Sequence, residues 1–565
     1  MSYLPLRRIF WISLAVALLV VGVLAGCALN PIPDPTPTPL PPTPTPLPRG
    51  GNLTIRLAAD VPDLRPWQPR SRGEEQIISV LYNGLMRLDA SLQPQPDLAQ
   101  AWDTSADGRV LTFTLRSDVS WHDGKPLTTD DVVYTLNALR EISPTTALLS
   151  DLRRITNVTA PTSNTVALTL NERYAPILSD LAVSILPRHL LEGQNIVEFN
   201  FWNKPVGTGP FKFIERQPGS SITFGASDTF FRGPPLLDRL AFLVAPDPQV
   251  AAQSLGDGRL LLAELPWNLG STITNTVKNA QTGFYPENGY YYLAFNTREG
   301  RTFTDPTVRQ ALAAAVNIPV LVQKVTGGQG IPISNSAVPG SWASFTATPT
   351  ATADLDRART LLDQAGWRVP EGGSMRQRDG KPLAAQIFVR GDDERRVAAA
   401  RQIADIGATI GMSLTVQPSD FNSVILPKYA PPYDFDLLLG SWSNGAGDPL
   451  FGDYLFYDPS DFALFHSSQI NQGTADTRAT LNFVGFSDSA YDNQAAAAQQ
   501  IYDIEQRGQA LRLAQERIAM LKPYLFLWTD RIPVALSEQV TTLDGPVNIN
   551  TPLYLWNVER WYLKK

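Results

Sequence analysis

Residues 384–416 read AAQIFVRGDDERRVAAARQIADIGATIGMSLTV, and this stretch decides the class of fold. Gln386–Val389 has the short, apolar, β-rich character of a buried strand. From Asp393 to Ile410 the apolar residues Val397, Ile403, Ile406 and Ile410 recur on one helical face, and Gly411 follows as a stop. Leu414–Val416 then reads as a second strand. Strand, helix and strand in that order make a βαβ unit, whose strands pair in parallel inside an α/β sheet. Residues 435–439 (FDLLL) add a strand of nearly continuous apolar character, the pattern of a strand covered on both faces. It opens into Gly440-Ser441-Trp442-Ser443-Asn444-Gly445-Ala446-Gly447-Asp448-Pro449. Open α/β sheets bind ligands beyond the carboxyl ends of their strands. A glycine-rich loop with a large aromatic at that place makes Ser441, Trp442, Ser443, Asn444 and Gly445 candidate ligand contacts.

The same pattern rules place elements outside this stretch. Val110–Arg116 and Thr165–Leu170 alternate apolar and polar residues, as half-buried strands do. A helix is predicted from Thr128 or Thr129, with Asp130 and Asp131 in its first turn. Another starts at Asp305-Pro306 and runs through Val308, Leu312 and Val316. Ala358, Leu361, Leu362 and Ala365 form a helical stripe closed by Gly366.

The amino terminus has a different chemistry. Arg7 and Arg8 precede an apolar run from Ile9 to Ala25, which ends in Leu24-Ala25-Gly26-Cys27. Basic, apolar and small-residue segments in that order are those of a secretory signal. The run is at the short end for a bilayer span. Cys27 is the only cysteine in the chain, and its tetrapeptide matches the bacterial lipobox, where the thiol receives a diacylglycerol. Residues 31–48 (PIPDPTPTPLPPTPTPLP) lack the amide donors for regular structure and are expected to stay extended. At about 3.1 Å per residue they give a tether of roughly 60 Å. Residues 1–26 are thus assigned as a lipoprotein signal, 27–49 as a tether, and folded protein from Gly50. Cys27 is the lipidation candidate, which places the rest outside the cytoplasm as a membrane-anchored lipoprotein, on the cell surface or in the periplasm.

Roughly 515 residues remain, more than one core holds, so at least two domains are expected. A net charge of −7 argues against nucleic acid as a partner. Without a second cysteine the folded part has no intrachain disulfide, thiolate nucleophile or zinc–thiolate site. His122, His189 and His466 lie in unlike contexts, His122 in a Trp-His-Asp-Gly turn where a surface role is expected. No HExxH, GxSxG or GxxxxGK[ST] pattern occurs, so neither a metalloprotease, a serine hydrolase nor a nucleotide site is signalled. The chain is expected to be a binder rather than an enzyme, with no catalytic residues, metal or cofactor.

A series of blocks then gives a resemblance. The strongest lies in Val80–Tyr134, with LYNGLMRLD (81–89), PDLAQAWDTSADG (96–108) and LTFTLRSDVSWHDGKPLTTDDVVYTL (111–136). PVGTGPFKF (205–213), FRGPPLLDRL (231–240), YYLAFNTREG (291–300), DPTVRQALAAAVN (305–317), ARTLLDQAGW (358–367) and YDFDLLLGSW (433–442) follow. In this order they resemble the family 5 solute-binding proteins of peptide and nickel ABC importers, from about Gly51 to the carboxyl terminus. The resemblance implies an α/β, two-lobed periplasmic-binding-protein-like fold of the class II type, its lobes joined by a hinge. The first lobe is expected at 50–85, 200–300 and 535–565, an extra subdomain on it at 86–199, and the second lobe at 301–534. It also implies a monomer that closes on a peptide or other small solute. The loaded form would dock on a membrane permease whose ATPase subunits work in the cytoplasm.

Ligand chemistry transfers only in part. Peptide-binding members carry an aspartate three residues after the tryptophan, which pairs with the peptide's α-ammonium. Here that position is Gly445. An ammonium closed into a cleft without a partner costs several kcal/mol, on the order of a buried unpaired charge. Three explanations stay open: another acid such as Asp420 or Asp63 supplies the charge, the ligand's amine is blocked or absent, or the ligand is a neutral oligosaccharide. A receptor feeding a sensor rather than a permease is the other role open to such a chain. Trp342 is a candidate aromatic contact, Arg390 a candidate partner for a ligand carboxylate, and Asn296 a candidate cleft amide at a strand end. Arg390 paired with Asp392 or Asp393, and Asn296 capping a turn, are the alternatives.

Overall fold

The structure is a computed structural model that describes residues 48–62, 64–67, 71–142, 147–270, 277–345, 352–443, 459, 461–470 and 481–564. The chain enters through β1 (Asn52–Leu57) and α1 (Arg72–Leu81). A separate antiparallel sheet is then inserted, from β2 (Ala99–Thr104), β3 (Val110–Leu115), β4 (Ile155–Thr162) and β5 (Thr165–Leu170), in the order β2-β3-β5-β4. Helix α2 (Thr129–Glu141) packs on it, started by the capping box of Thr128 and Asp131. This insert has its own core, including Trp121, Leu136 and Leu168.

The chain returns to a larger sheet through β6 (Phe211–Gln217), β7 (Ser221–Ala226), β8 (Arg239–Val244), β9 (Leu262–Glu264) and β10 (Ala280–Pro286). It continues with β11 (Gly289–Phe295), helices α3 (Pro306–Ala315) and α4 (Ile318–Thr326), and β12 (Gly330–Pro332). Helix α5 (Leu355–Gln364), β13 (Ala384–Arg390), α6 (Glu394–Thr409), β14 (Ser413–Ser419) and β15 (Leu437–Ser443) come next. Helices α7 (Ser489–Gln500) and α8 (Ile504–Leu521) lead into the long β16 (Tyr524–Ser537).

The predicted βαβ unit forms as β13, α6 and β14, its strands parallel in register from Ala384↔Ser413 to Arg390↔Ser419. Ile387 and Val389 are fully buried, and removal of such a side chain from water is worth about 1.5–3 kcal/mol. The sheet order is β14-β13-β15-β11-β16-β9-β1-β8-β7-β6, with β10 and β12 also paired to β16. β16 therefore joins two halves. Tyr524–Trp528 pairs with β11, and Val534–Leu536 pairs with β9. Each half has its own core, one around Leu53, Phe224 and Phe242, the other around Leu312, Ile387 and Ile403. These halves are the two α/β lobes, and β16 crosses between them.

Three expectations change. β11 falls in the stretch assigned to the first lobe (200–300), yet it hydrogen-bonds β15 from Gly289↔Ser443 to Phe295↔Leu437, within the second-lobe sheet. The strand expected at 435–439 starts later and runs on, so Gly440, Ser441, Trp442 and Ser443 are strand residues. Gly440 is required there by close packing: a Cβ would come within 2.6 Å of the Tyr429 hydroxyl oxygen and 2.9 Å of that of Tyr292. The third concerns His122, which is no surface ornament. Its Nδ1 accepts the Gly207 amide hydrogen (3.1 Å), so Nε2 carries the proton and donates to the Gly209 carbonyl (2.9 Å). The PVGTGPFKF segment is thereby pressed on the end of α1, where a Cβ on Gly207 would fall 1.9 Å from the Leu81 carbonyl oxygen. Among the described residues no helix is long and apolar enough to cross a membrane.

Candidate functional site

The carboxyl ends of the parallel strands in both lobes lie where β16 crosses. In the second lobe, β13 ends at Arg390, β14 at Ser419 and β15 at Ser443. In the first, Arg56 in β1 gathers the strand ends by donating to the carbonyls of Ala245 (2.9 Å), Pro246 (3.0 Å) and Glu264 (2.7 Å). Between them β16 carries Thr529-Asp530-Arg531, a polar break in an apolar strand.

Asp530 is buried and organises this crossing. Its carboxylate accepts from both terminal nitrogens of Arg395 (2.8 and 3.2 Å), from the Tyr291 hydroxyl (3.2 Å) and from Trp528 Nε1 (3.1 Å). Tyr291 and Trp528 stack at 4.3 Å. Burial and the Asp530 charge raise the Tyr291 phenol well above its usual range. Trp267, from the first-lobe loop after β9, lies 4.0 Å from the Arg395 guanidinium. A cation and an aromatic ring thus meet across the lobes. Arg396 bonds to Asp393 (3.0 Å) and to the Ser441 hydroxyl (3.0 Å).

The opposite edge is acidic. Glu264 accepts from Gln76 (2.8 Å), Tyr285 (2.9 Å) and Tyr554 (2.9 Å). Arg72 pairs with Glu75 and lies 3.6 Å from Glu264. Glu287, at the turn from β10 to β11, is pushed up to about 7 by burial and by the Glu264 and Glu75 charges, against the pull of Arg72. A cavity of about 90 Å³ is lined by the charged and polar groups of Arg72, Glu75, Gln76, Asp97 and Arg232 together with apolar side chains such as Leu88 and Leu555.

The candidates read from sequence disperse around this edge. Arg390 turns to its neighbour Asp392, with two contacts of 2.6 Å, and covers Phe421 at 4.8 Å. Asn296 is fully buried, its amide hydrogens given to the carbonyls of Tyr433 (2.9 Å) and Phe435 (2.8 Å), so it ties a turn and faces no cleft. Trp442 is also buried, stacked on Tyr292 at 5.9 Å and edge-on to Tyr429 at 5.7 Å. The reason is strand alternation: Leu438, Gly440 and Trp442 point to the aromatic layer, while Leu437, Leu439 and Ser441 point to α6. Trp342 is half-buried between the lobes, its amide donating to the Ser91 carbonyl (2.9 Å). Ser443 is placed by its backbone alone, opposite Gly289. Cys27, Asp63, Asn444 and Gly445 lie outside the described residues, and Asp420 caps a short helix through Ser423. His189 docks on Asp123 (2.7 Å), in the same turn as His122.

Sequence reading missed Arg395, Asp530, Tyr291, Trp528 and Trp267. One signal was available: Arg395 and Arg396 occupy the first turn of α6, where the helix dipole disfavours cations. Such a pair needs carboxylate partners, and Asp393 and Asp530 are those partners.

Two α/β lobes that share one crossing strand, with charged and aromatic side chains from both converging on it, define a two-lobed solute-binding protein. Residues 93–463 match the bacterial extracellular solute-binding proteins, family 5 (middle region), and the chain belongs to that family. Over 525 residues it is 26% identical to the oligopeptide-binding protein AppA of Bacillus subtilis (strain 168), with 92% of each chain covered. The structure of that protein with a nonapeptide matches at a TM-score of 0.64, covering 92% of this chain and 99% of its own. NikZ from Campylobacter jejuni, in complex with Ni(L-His), matches at a TM-score of 0.66 and 26% identity, over 91% and 99% of the two chains.

Proposed function

We propose that this chain is the lipid-anchored binding component of an ABC importer, capturing peptides between its lobes and handing them to a permease. The observation that carries the reading is the meeting of both lobes' strand ends at Asp530 and Arg395, where the lobes can close over a solute. The likeness to the Bacillus oligopeptide-binding protein along nearly the whole chain supports peptides as cargo. On the first-lobe edge the carboxyls of Glu75, Glu264 and Glu287 face the guanidiniums of Arg72 and Arg56, a balance that leans acidic once Glu287 ionises and suits a ligand bearing positive charge. The lobes are proposed to divide at 287–289 and 530–533, which gives β11 to the second.

Gly445 favours a second reading of the cargo, a solute without a free α-amine. Native mass spectrometry of protein purified without denaturation tests both readings, because closed lobes retain ligand. A co-purifying peptide mixture is the expected result, and a sugar or blocked amine overturns the peptide assignment. Gly445→Asp adds a local test: free peptides are expected to bind more tightly, by calorimetry, if their amine lies at that place. An unchanged affinity puts the amine elsewhere. The anchor has its own test. Cys27→Ser is expected to bind ligand normally yet appear in the soluble fraction, with uptake of labelled peptide reduced.

A further inference from the structure

Apart from β16 and its neighbours, the two lobes touch at the corner between α7 and α8. Tyr502 leaves the second lobe there and lands on the inserted sheet. Its ring lies edge-on to Trp102 of β2 at 5.8 Å, and the Arg173 guanidinium covers it at 5.5 Å. Its hydroxyl donates to the Gly108 carbonyl (2.9 Å), and the Ala175 amide donates to the Gln499 carbonyl (2.6 Å). Residues 338–345 run alongside as a strap. Val338 belongs to the first-lobe core, while the Trp342 ring packs against both that core and the small cluster of Ala343, Ala498 and Leu511. Arg507 lies 5.4 Å from the Trp342 ring, and Arg512 lies 5.3 Å from Phe345.

The scale of this junction differs from that of the lobes. Each lobe is held by a large contiguous core, whereas this contact rests on the Tyr502 ring against Trp102, the Trp342 ring against the first-lobe core and a few polar links. Contacts of that size open at lower free energy than the units they join. The two chain crossings, at 287–289 and 530–533, lie side by side, so a weaker tie away from them limits how one lobe can turn about them.

We propose that the α7–α8 corner is a releasable clasp, with Tyr502 as its pin, that holds the second lobe to the inserted sheet and sets how far the cleft opens. This inference goes beyond the peptide reading and does not depend on the cargo. The test uses the full chain carrying Cys27→Ser, with Ser150→Cys on the insert and Lys324→Cys on α4, both exposed positions. Spin labels on these cysteines report the distance between insert and second lobe by pulsed dipolar spectroscopy. In ligand-free protein, Tyr502→Ala is expected to raise the population of displaced distances roughly tenfold, the loss of one ring contact and one hydrogen bond. Tyr502→Phe keeps the ring and loses only the bond to Gly108, so a smaller widening of the same kind is expected. That milder variant also reads the clasp if the alanine variant folds poorly. Distance distributions that match the parent in both variants overturn the proposal.

Discussion

Arg395→Ala is expected to lower folding stability by about 3 kcal/mol, the low end of what breaking a buried ion pair costs. Arg395 and Asp530 are both largely buried, with side chains 14% and 11% exposed. Removing the guanidinium leaves a carboxylate at the strand crossing with only neutral donors, the Tyr291 hydroxyl and the Trp528 indole. Those two bonds are the reason for the low end of the range. Trp267 also loses its cation, worth about 0.5–2 kcal/mol. The helix returns a little of this, because removing a cation from the first turn of α6 relieves its unfavourable interaction with the dipole, about 0.3–1 kcal/mol. Urea unfolding followed by tryptophan fluorescence measures the loss. Pairing Arg395→Met with Asp530→Asn removes both charges and is expected to recover more than half of it. A single variant within 1 kcal/mol of the parent, on the order of an ordinary surface change, would show that the network carries little. The same substitution separates Trp267 from the second lobe, so weaker ligand binding is expected with it.

The crossing itself shows which features a sequence reveals. Periodicity is local, so β13, α6 and β14 were legible as a βαβ unit from residues 384–416 alone. Caps are local too, and Asp305 before Pro306 and Thr128 with Asp131 fell where expected. The candidate site was less legible because its partners are distant in sequence: Arg395 meets Asp530 135 residues on, and Tyr291 104 residues back. No window-based pattern holds both ends of such a bond. Trp442 misled for a different reason. Glycine beside serine and tryptophan reads as a loop, but Gly440 is a strand residue whose missing Cβ makes room for two tyrosine hydroxyls. His122 misled similarly, since a Trp-His-Asp-Gly turn says nothing of Gly207 and Gly209, 85 and 87 residues away.

Two desolvated groups, His122 and Glu287, are expected to give opposite pH dependences. His122 is held near 4 rather than 6.5, chiefly by burial. The unfolded chain therefore takes up this proton near 6.5 and the folded chain only near 4. Stability from this group is present above 6.5 and lost as the pH falls to about 4, by about 3 kcal/mol in all. Glu287 runs the other way. Its carboxyl is raised from 4.5 to about 7, so the folded protein keeps a proton that the unfolded chain releases. Its contribution is full below 4.5 and lost as the pH climbs through 7, again by at most about 3 kcal/mol. Melting temperatures from pH 4 to 8 separate the two as differences from the parent. Glu287→Gln is expected to gain on the parent as pH rises from 4.5 to 8. His122→Gln, which loses the imidazole, is expected to gain on the parent as pH falls from 6.5 to 4, on top of a constant loss from its broken bonds. Curves parallel to the parent would mean that neither group is perturbed as its surroundings require. The Glu287 result bears on cargo as well. A carboxyl that ionises near neutrality adds negative charge to the cleft edge, and a bound ammonium would draw its titration downward. Ligand affinity for a cationic peptide should then rise between pH 6 and 8 in the parent and stay flat in Glu287→Gln.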